Sequence, residues 1–402
     1  MNESTKYAIW ISQALGYANP KVKRIIELYK GFKEFYEGGR QEWILSGVLS
    51  PKNLQKLEST PLNVADPIIN RCRELKYDII SIGDNEYPVV LQEIFNPPAA
   101  LYVSGNLPNV DNRFTIAIVG TRKSSFYGVK IAYEFSYHLA KAGSIIVSGG
   151  ALGIDSAAHK GSLSANGDTI CVLGCGIHNN YLQQNEALRK TISETGALIS
   201  EYPPDYPVNK GSFPVRNRII SALSKAALVV EAGNKSGSLI TANLALEQGR
   251  DVFAVPGSIN SSVSAGTNEL IKVGAIPATT YRDILEAYET QYEFNEIDDN
   301  LKPIKPEDFL TKNISKQTKQ VRNVKIQKAS EKPFEQPKKQ VDLSGLSQAT
   351  QNVFNFLSEE PKHIDTIILE LNLPPNQVAQ ALTELELVDA VTPLAGRSYC
   401  IK

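Results

Sequence analysis

The sequence is poor in cysteine and histidine, has no excess of charge of either sign and has no long apolar run. Four cysteines in 402 residues do not form a disulfide framework. Lys and Arg number 42 against 43 Asp and Glu, so the formal net charge of −1 predicts no general affinity for polyanions. No stretch approaches the roughly 18 apolar residues of a membrane span, and no basic leader precedes an apolar core at the N-terminus. We therefore expect a cytoplasmic protein without a membrane span, in which any polyanion site is local.

Sequence motifs of common catalysts are also missing. The chain has no GxxxxGK[ST] phosphate loop, which argues against ATP hydrolysis. Its four histidines do not combine with serine and acid in a pattern typical of a hydrolase: His138, His159, His178 and His363. Asp155 and His159 lie one helical turn apart and could form a catalytic pair. We favour a structural role, with Asp155 near a helix start where a carboxylate caps free amides.

Cys171, Cys175 and His178 could together bind a metal ion. However, "TICVLGCG" is typical of a buried strand that enters a glycine turn, in which the two cysteines act as small apolar residues. We predict no metal, no cofactor and no catalytic residue.

The first 75 residues have the apolar spacing of helices, in "YAIWISQAL" and "VKRIIELY", broken by "GYANP" and "SGVLSP". Two small helical hairpins fit this pattern. A connecting stretch to about residue 112 contains "NEYPVVLQEIFNPPAALYVSGNL", which we interpret as the passage into the next domain.

From Phe114 onwards, short apolar strands alternate with helices, and nearly every strand ends in glycine. The strands are "TIAIVG", "SIIVSGG", "TICVLGCG", "GALISEY", "AALVVEAG" and "DVFAVPG". Continuous apolar strands separated by helices predict an α/β fold whose core is a Rossmann-like, doubly wound, mostly parallel sheet covered on both faces. We place this domain at residues 76–288 and the small helical domain at residues 1–75.

The composition changes after about Tyr288. Residues 289–340 are polar and dotted with proline, and 312–339 hold nine Lys or Arg against two acidic residues, which predicts a basic disordered linker. Residues 341–402 contain three helix patterns and then a hairpin-like end, which predicts a winged-helix domain. Its third helix, "PPNQVAQALTELEL", has no Lys or Arg and carries Glu384 and Glu386, a poor composition for reading duplex DNA. The domain could contact protein, or the basic tether could capture DNA weakly.

Ligands of open parallel sheets bind beyond the carboxyl ends of the strands, near helix N-termini. Three such ends are rich in glycine: "VGTRKSSFYG", "SGGALGID" and "EAGNKSGSLIT". Each could be only a tight turn, but Arg122 and Lys123 in the first and Ser236, Gly237 and Ser238 in the third favour an anion-binding rim. A single nucleotide would not need so many groups, whereas several phosphates in a row would.

The stretch "NKGSFPVRNRII" adds three cations and an aromatic ring at the same edge. Phe213 could stack on unpaired bases, or act as a hydrophobic staple before Pro214 at a helix start. Arg216 and Arg218 point about 200° apart on a helix. One of them is therefore expected to face a bound strand, and the other to pair with a carboxylate.

Six long segments, in order over about residues 114–285, resemble the DNA-processing protein A family (DprA, also called Smf). They are "IAIVGTR…YG", "SGGALGIDSAAH", "VLGCGI…YLQQNEALRKTISETGALISEYPP", "FPVRNRIISALS", "VVEAGNKSGSLITANLALEQGRDVFAVPG" and "GTNELIKVGA". The resemblance implies a homodimer that is not an enzyme, binds single-stranded DNA and helps load the RecA recombinase onto it during natural transformation.

Carried over residue by residue, the resemblance implies a DNA-binding pocket at Gly120, Arg122, Lys210, Phe213 and Arg216, lined by Ser148 and Gly149. Lys123, Asn217, Ser236, Gly237 and Ser238 complete the predicted site. The family's "SGLARGID" has a cation where this chain has Leu152, so affinity is expected to depend more on Arg122 and Lys210. Dimerisation is expected to use apolar helix surface around "NELIKVGA".

An enzyme that processes nucleoside monophosphates is the alternative, because related Rossmann-like proteins cleave these substrates. Those proteins resemble "PGGxGTxxE", whereas this chain has Ser236 and Ser238 in "EAGNKSGSLITANLALE". A dinucleotide oxidoreductase would have G-x-G-x-x-G after the first strand, which "VGTRKSSFYG" does not supply.

Overall fold

The strands that lie between residues 78 and 277 form one nine-stranded sheet. They are β1 (Asp78–Ser81), β2 (Ala100–Gly105), β3 (Thr115–Val119), β4 (Ile145–Ser148), β5 (Thr169–Leu173), β6 (Ala197–Ser200), β7 (Ala226–Val229), β8 (Asp251–Ala254) and β9 (Ile276–Pro277). Their order is β1-β2-β6-β5-β4-β3-β7-β8-β9. The seven strands from β6 to β9 pair in parallel, and β1 and β2 add an antiparallel edge. The predicted doubly wound, mostly parallel sheet is therefore confirmed, and the six predicted strands are β3 to β8.

The computed structural model describes residues 4–297, 347–358, 362–371, 373–387, 390–394 and 398–401. The described residues up to 297 form one compact unit, and those from 347 form a second. Within these ranges, none of the helices combines the length and the apolar character needed to cross a membrane.

Every residue of β3, β4 and β5 is buried, as expected for central strands covered on both faces. The helices that follow the strands are α6 (Val89–Gln92), α7 (Phe126–Lys141), α8 (Ile154–Ser164), α9 (Glu186–Thr195), α10 (Ser212–Ala222), α11 (Gly237–Glu247), α12 (Ala265–Lys272) and α13 (Arg282–Tyr288). The apolar side chains of α7 belong to one core cluster, and those of α10 and α11 belong to the other. The two sets of helices thus cover opposite faces of the sheet.

Five helices precede the sheet: α1 (Ser4–Leu15), α2 (Lys21–Leu28), α3 (Phe32–Leu45), α4 (Pro51–Ser59) and α5 (Ala65–Leu75). Trp10 is fully buried among them, and its indole Nε1–H donates to the Thr60 carbonyl at 2.7 Å. The sequence predicted two helical hairpins, which contain four helices, whereas the structure has five. The helices share a continuous apolar core with the sheet, and the backbone N–H of Ala18 donates to the Glu201 carboxylate at 2.9 Å.

The connecting stretch does more than link two domains, because β1 and β2 extend the sheet. β2 pairs with β6 in antiparallel register, with Tyr102 opposite Ser200. The folded unit also continues beyond the predicted boundary at 288, since Tyr292 and Phe294 each pack against Phe114 with ring centroids 5.5 Å apart. Residues 298–340 of the predicted linker lie outside the described residues.

The second unit contains the helices and the C-terminal hairpin that were predicted for a winged-helix domain. Its helices are α14 (Gln348–Phe356), α15 (Ile364–Leu371) and α16 (Pro375–Leu387), and its strands are β10 (Lys362–His363), β11 (Val391–Leu394) and β12 (Ser398–Ile401). The strands form an antiparallel sheet in the order β10-β12-β11. Val353, Ile367 and Leu382 lie in its apolar core.

Candidate nucleic-acid interface

A groove of about 680 Å³ lies at the carboxyl ends of the parallel strands. It is bounded by the loop after β3 and by the starts of α10 and α11. The predicted site residues that line it are Gly120, Arg122, Lys123, Lys210, Phe213, Arg216, Asn217, Ser236, Gly237 and Ser238. The structure therefore brings together all of the predicted site residues except Ser148 and Gly149.

The loop after β3 is held close to the end of β7. The backbone N–H of Thr121 donates to the Glu231 carbonyl at 2.8 Å. A Cβ at Gly120 would lie 2.5 Å from the Ile154 side chain and 2.8 Å from the same carbonyl, so only glycine fits. Arg122 and Lys123 follow directly and are exposed. The tight turn thus places two exposed cations at the rim of the groove.

The carboxylate of Glu231 fixes the far end of this loop. It is buried, and it accepts the backbone N–H of Ser125 at 2.9 Å and the Ser125 hydroxyl at 2.5 Å. The same hydroxyl oxygen accepts the N–H of Gly128 at 3.0 Å and so caps the start of α7. The carboxylate thereby joins the end of β7 to the start of α7.

Phe213 lies within the first turn of α10, so it does not precede the helix and is not a hydrophobic staple. The half-buried ring packs over Gly174, where a Cβ would approach it to 2.7 Å. It contacts the Tyr181 ring at a centroid distance of 5.1 Å. The guanidinium carbon of Arg122 lies 5.6 Å from the Phe213 ring centroid. The aromatic ring and the cation therefore lie next to each other in the groove.

Arg216 and Arg218 separate as predicted for neighbours on a helix. The Arg218 Nη2 atom lies 2.5 Å from Glu201 Oε2, and both side chains are about 4% exposed. Arg216 faces the groove, but it is buried and donates to the Gly149 carbonyl at 2.9 Å and to the Val172 carbonyl. Burial lowers the pKa of Arg216. Its guanidinium thus holds the groove wall and is less available to a phosphate than the sequence suggested.

Ser148 and Gly149 are corrections to the predicted site. The Ser148 side chain is fully buried, and its hydroxyl donates to the Ile118 carbonyl at 2.7 Å. A Cβ at Gly149 would lie 2.6 Å from the Arg216 guanidinium. Both residues shape the turn beneath the groove and do not line it, because their contacts are with the sheet and with Arg216.

The start of α11 forms the opposite wall. The Ser236 hydroxyl oxygen accepts the N–H of Ser238 at 3.5 Å, and the two hydroxyl oxygens lie 2.8 Å apart. The side-chain amide of Asn217 donates to the Gly237 carbonyl at 3.4 Å, which joins α10 to α11. Ser236 thus acts as the helix cap while it lines the groove.

Asp155 and His159 both make buried hydrogen bonds within the fold. The Asp155 carboxylate accepts the N–H of Ala151 at 3.3 Å, and burial raises the pKa of Asp155 although the Arg216 charge opposes this. His159 is fully buried, with Nδ1 2.7 Å from the Thr169 hydroxyl. That hydroxyl donates to the Ile146 carbonyl at 2.8 Å, so the imidazole Nδ1–H is the donor. Burial lowers the pKa of His159 to about 3, and the ring is neutral.

The cysteines behave as small apolar residues. Cys171 and Cys175 are buried, and burial raises the pKa of the Cys171 thiol to about 12. In the part of the chain that the structure describes, no three His, Cys, Asp or Glu side chains are grouped to hold a metal ion.

Tyr181, Val208 and Ile240 line the groove and were not predicted from the sequence. Val208 and Ile240 are 41% exposed each, so the groove has apolar surface as well as cations. Tyr181 follows β5 and so reaches the same sheet edge as the predicted loops. Its two signals in the sequence were this position and its place at the start of "YLQQNEALRK", one of the segments that resemble the family.

The chain is similar to proteins that process DNA. Residues 78–289 match the family described as DNA recombination-mediator protein A, and residues 337–397 match the DprA winged helix domain. DNA processing protein DprA from Bacillus subtilis is 41% identical over 214 residues, which cover 53% of this chain and 72% of that protein.

Two solved structures extend the similarity. The X-ray structure of DNA processing protein A from Streptococcus pneumoniae is 32% identical, with a TM-score of 0.62, and the match covers 73% of this chain and 100% of that one. DNA processing protein A from Helicobacter pylori, solved for insight into its single-stranded DNA binding mode, is 32% identical with a TM-score of 0.50, over 54% of this chain and 97% of that one. With the winged-helix unit and the family match over more than half of its length, this chain belongs to the DNA recombination-mediator protein A (DprA/Smf) family.

Proposed function

We propose that the groove at the strand ends binds a short run of unpaired nucleotides, and that the protein mediates recombination by presenting this strand to the RecA recombinase. The observation that carries the proposal is the meeting of Phe213, Arg122 and Lys210 in one groove. An aromatic ring holds bases by stacking, and exposed cations hold the phosphates that connect them.

The apolar part of the groove surface supports unpaired bases as ligands. Val208 and Ile240 offer apolar contacts beside the Phe213 ring, where the flat faces of bases can lie. The bases of a duplex are stacked on one another, so their faces are not available to a protein ring. The groove is therefore expected to prefer single strands without reading their sequence.

The groove is proposed to bind DNA without catalysing a reaction on it. In the nucleotide-processing enzymes with the pattern "PGGxGTxxE", a glutamate follows three residues after the threonine. Here Gly237 and Ser238 occupy the positions of the glycine and threonine, and Thr241 stands where the glutamate would be. Thr241 lines the groove, so the carboxylate that such chemistry uses is replaced by a hydroxyl at that place.

A homodimer would extend the DNA track and provide a surface for the recombinase. The segment "NELIKVGA" spans the end of α12, where Val273 is 70% exposed, and it is followed by the edge strand β9 with Ile276 at 41%. An exposed apolar edge of this kind supports self-association.

The test is fluorescence anisotropy of a labelled oligonucleotide, single-stranded and then duplex, in a salt series. We expect preference for the single strand, lost in the Lys210→Ala/Phe213→Ala double variant. Lys52→Ala is the matched control, because Lys52 is an exposed lysine of α4 outside the groove. Equal binding of single strand and duplex, or a double variant that binds as the parent does, would remove the groove as the DNA site.

A further inference from the structure

Two exposed aromatic residues stand beside the groove without lining it. Phe126 and Tyr127 are the first two residues of α7, and they are 77% and 48% exposed. They follow the loop that supplies Arg122 and Lys123 to the groove, separated from Lys123 only by Ser124 and Ser125. Single exposed apolar residues are common on protein surfaces. An adjacent pair of aromatic rings at the exit of a binding groove is a more specific arrangement.

The backbone that carries the pair is fixed. Ser125, the residue before Phe126, is held through both its N–H and its hydroxyl by the buried Glu231 carboxylate. Its hydroxyl oxygen also caps α7 through the N–H of Gly128. A Cβ at Gly128 would lie 2.2 Å from the Glu231 carboxylate, so this close packing requires glycine. The rings are thus presented from a rigid helix start and lose little backbone entropy on binding a ligand.

The charges around the pair are those that a polyanion needs. Residues 122–130, "RKSSFYGVK", contain three cations and no acidic residue. Lys123 precedes the rings, and Lys130 follows them by one helical turn with only a loose contact to Glu134 at 3.8 Å. Cations on both sides of a pair of aromatic rings suit a chain of phosphates and flat bases, whereas an apolar protein partner would leave these cations desolvated.

The position of the pair continues the groove around the sheet edge. Three Cα steps separate Lys123 from Phe126, so the two lie within about 11 Å of each other. The groove is built on α10 and α11, which cover one face of the sheet, while α7 covers the other. A DNA strand that leaves the groove past Lys123 would therefore cross the ends of the β-strands and meet Phe126.

We propose that Phe126 is a second base-stacking platform that, with Tyr127 and Lys123, extends the single-stranded DNA track beyond the groove. This inference rests on the proposed function of the groove. It adds that the track crosses the sheet edge, and that nucleotides outside the groove contribute affinity through a ring that the groove does not contain.

The test compares two lengths of oligothymidylate, of about 6 and about 20 nucleotides, on the full chain. Phe126→Ala is expected to weaken the long oligonucleotide by about 5- to 100-fold and to leave the short one unchanged. Phe95→Ala is the matched control, because Phe95 is equally exposed, at 76%, and lines a different groove. Both substitutions are on the surface, so both variants are expected to fold.

A long oligonucleotide in which all bases outside a run of six are removed tests stacking directly. If Phe126 stacks on those bases, the parent loses affinity for the abasic probe and Phe126→Ala causes no additional loss. Additive losses, equal loss at both lengths, or a variant that behaves as Phe95→Ala does would each overturn the inference while leaving the groove in place. A parent protein that binds neither length would instead overturn the proposed function itself.

Discussion

The guanidinium carbon of Arg122 lies 5.6 Å from the centroid of the Phe213 ring, so a cation from the loop after β3 covers an aromatic ring from the start of α10. A loop and a helix start whose residues are 91 positions apart in the chain meet there. The contact brings together the two kinds of group that a single-stranded nucleic acid requires, a cation for a phosphate and an aromatic ring for a base.

Substitution of Arg122 is expected to separate these two roles. Arg122→Ala should weaken all single-stranded sequences alike and reduce the slope of log affinity against log salt by about 0.7, the value of one phosphate contact. Arg122→Lys should restore the salt slope but not the full affinity, because an ammonium group lacks the planar surface of a guanidinium. Anisotropy titrations over a salt series give both quantities. A lysine variant with parental affinity would show that charge alone matters at this position.

A double-mutant cycle measures the coupling of the two residues. Arg122→Ala and Phe213→Ala are expected to be non-additive by about 0.5–2 kcal/mol in the free energy of binding, since each removes part of the other's environment. Strictly additive losses would mean that the two side chains contact the DNA independently.

The buried ion pair between Arg218 and Glu201 is expected to be a structural requirement of the fold. The Glu201 carboxylate also accepts the Ala18 N–H, so it joins the N-terminal helices to the end of β6. Glu201→Gln leaves a buried guanidinium without its counter-charge, and should lower the free energy of unfolding by about 3–5 kcal/mol. Denaturant unfolding measures this loss.

The exposed pair of Arg71 and Asp205, with Nε and Oδ2 2.8 Å apart, provides the comparison. Asp205→Asn should leave the unfolding midpoint nearly unchanged, because water screens an exposed pair. Similar losses in Glu201→Gln and Asp205→Asn would contradict the assignment of Arg218 to the core.

His159 is expected to make the fold sensitive to acid. The unfolded chain takes up a proton on this side chain below a pH of about 6.5, whereas burial lowers the pKa of the folded state to about 3. The unfolded state therefore binds more protons between these values. The contribution is fully present above pH 6.5 and is lost as the pH falls, by about 2 kcal/mol at pH 5.

Thermal or denaturant unfolding at pH 7 and pH 5 checks this effect. His159→Asn keeps an N–H donor close to the Thr169 hydroxyl and cannot be protonated in this range. The variant should show a smaller difference between the two pH values than the parent does. An equal difference in both proteins would assign the acid sensitivity to other groups.

The sequence predicts the centre of this fold better than its edges. The strands β3 to β8 are continuous apolar runs, and a run that is buried on both faces can be recognised without its partners. By contrast, β9 is only two residues long, and β1 is identified by its antiparallel pairing with β2, a contact that no local pattern encodes. The N-terminal helices were recognised from their apolar spacing, but their shared core with the sheet required the structure.

Contacts between distant segments also limited the prediction of the candidate site, here for its side chains. Strand ends and residue types were enough to bring Arg122, Lys210 and Phe213 into one groove. They did not indicate that the Ser148 hydroxyl turns towards the Ile118 carbonyl, or that Arg216 is occupied by two backbone carbonyls. Hydrogen bonds between distant segments decide which polar side chains remain available to a ligand, and their geometry is set by packing.

The winged-helix unit is expected to contribute little to single-stranded DNA affinity. Helix α16 has no Lys or Arg, and its Glu384 carboxylate accepts the Thr350 hydroxyl at 2.5 Å and the Gln380 side-chain amide at 3.1 Å. A chain that ends at residue 297 should therefore keep most of its affinity for a short oligonucleotide at high salt. At low salt it should bind more weakly than the full chain, because removal of the basic segment 312–339 eliminates a screened, long-range attraction. Loss of most affinity at high salt would place a direct DNA contact in the deleted part of the chain and would contradict the prediction that the winged-helix unit contacts protein.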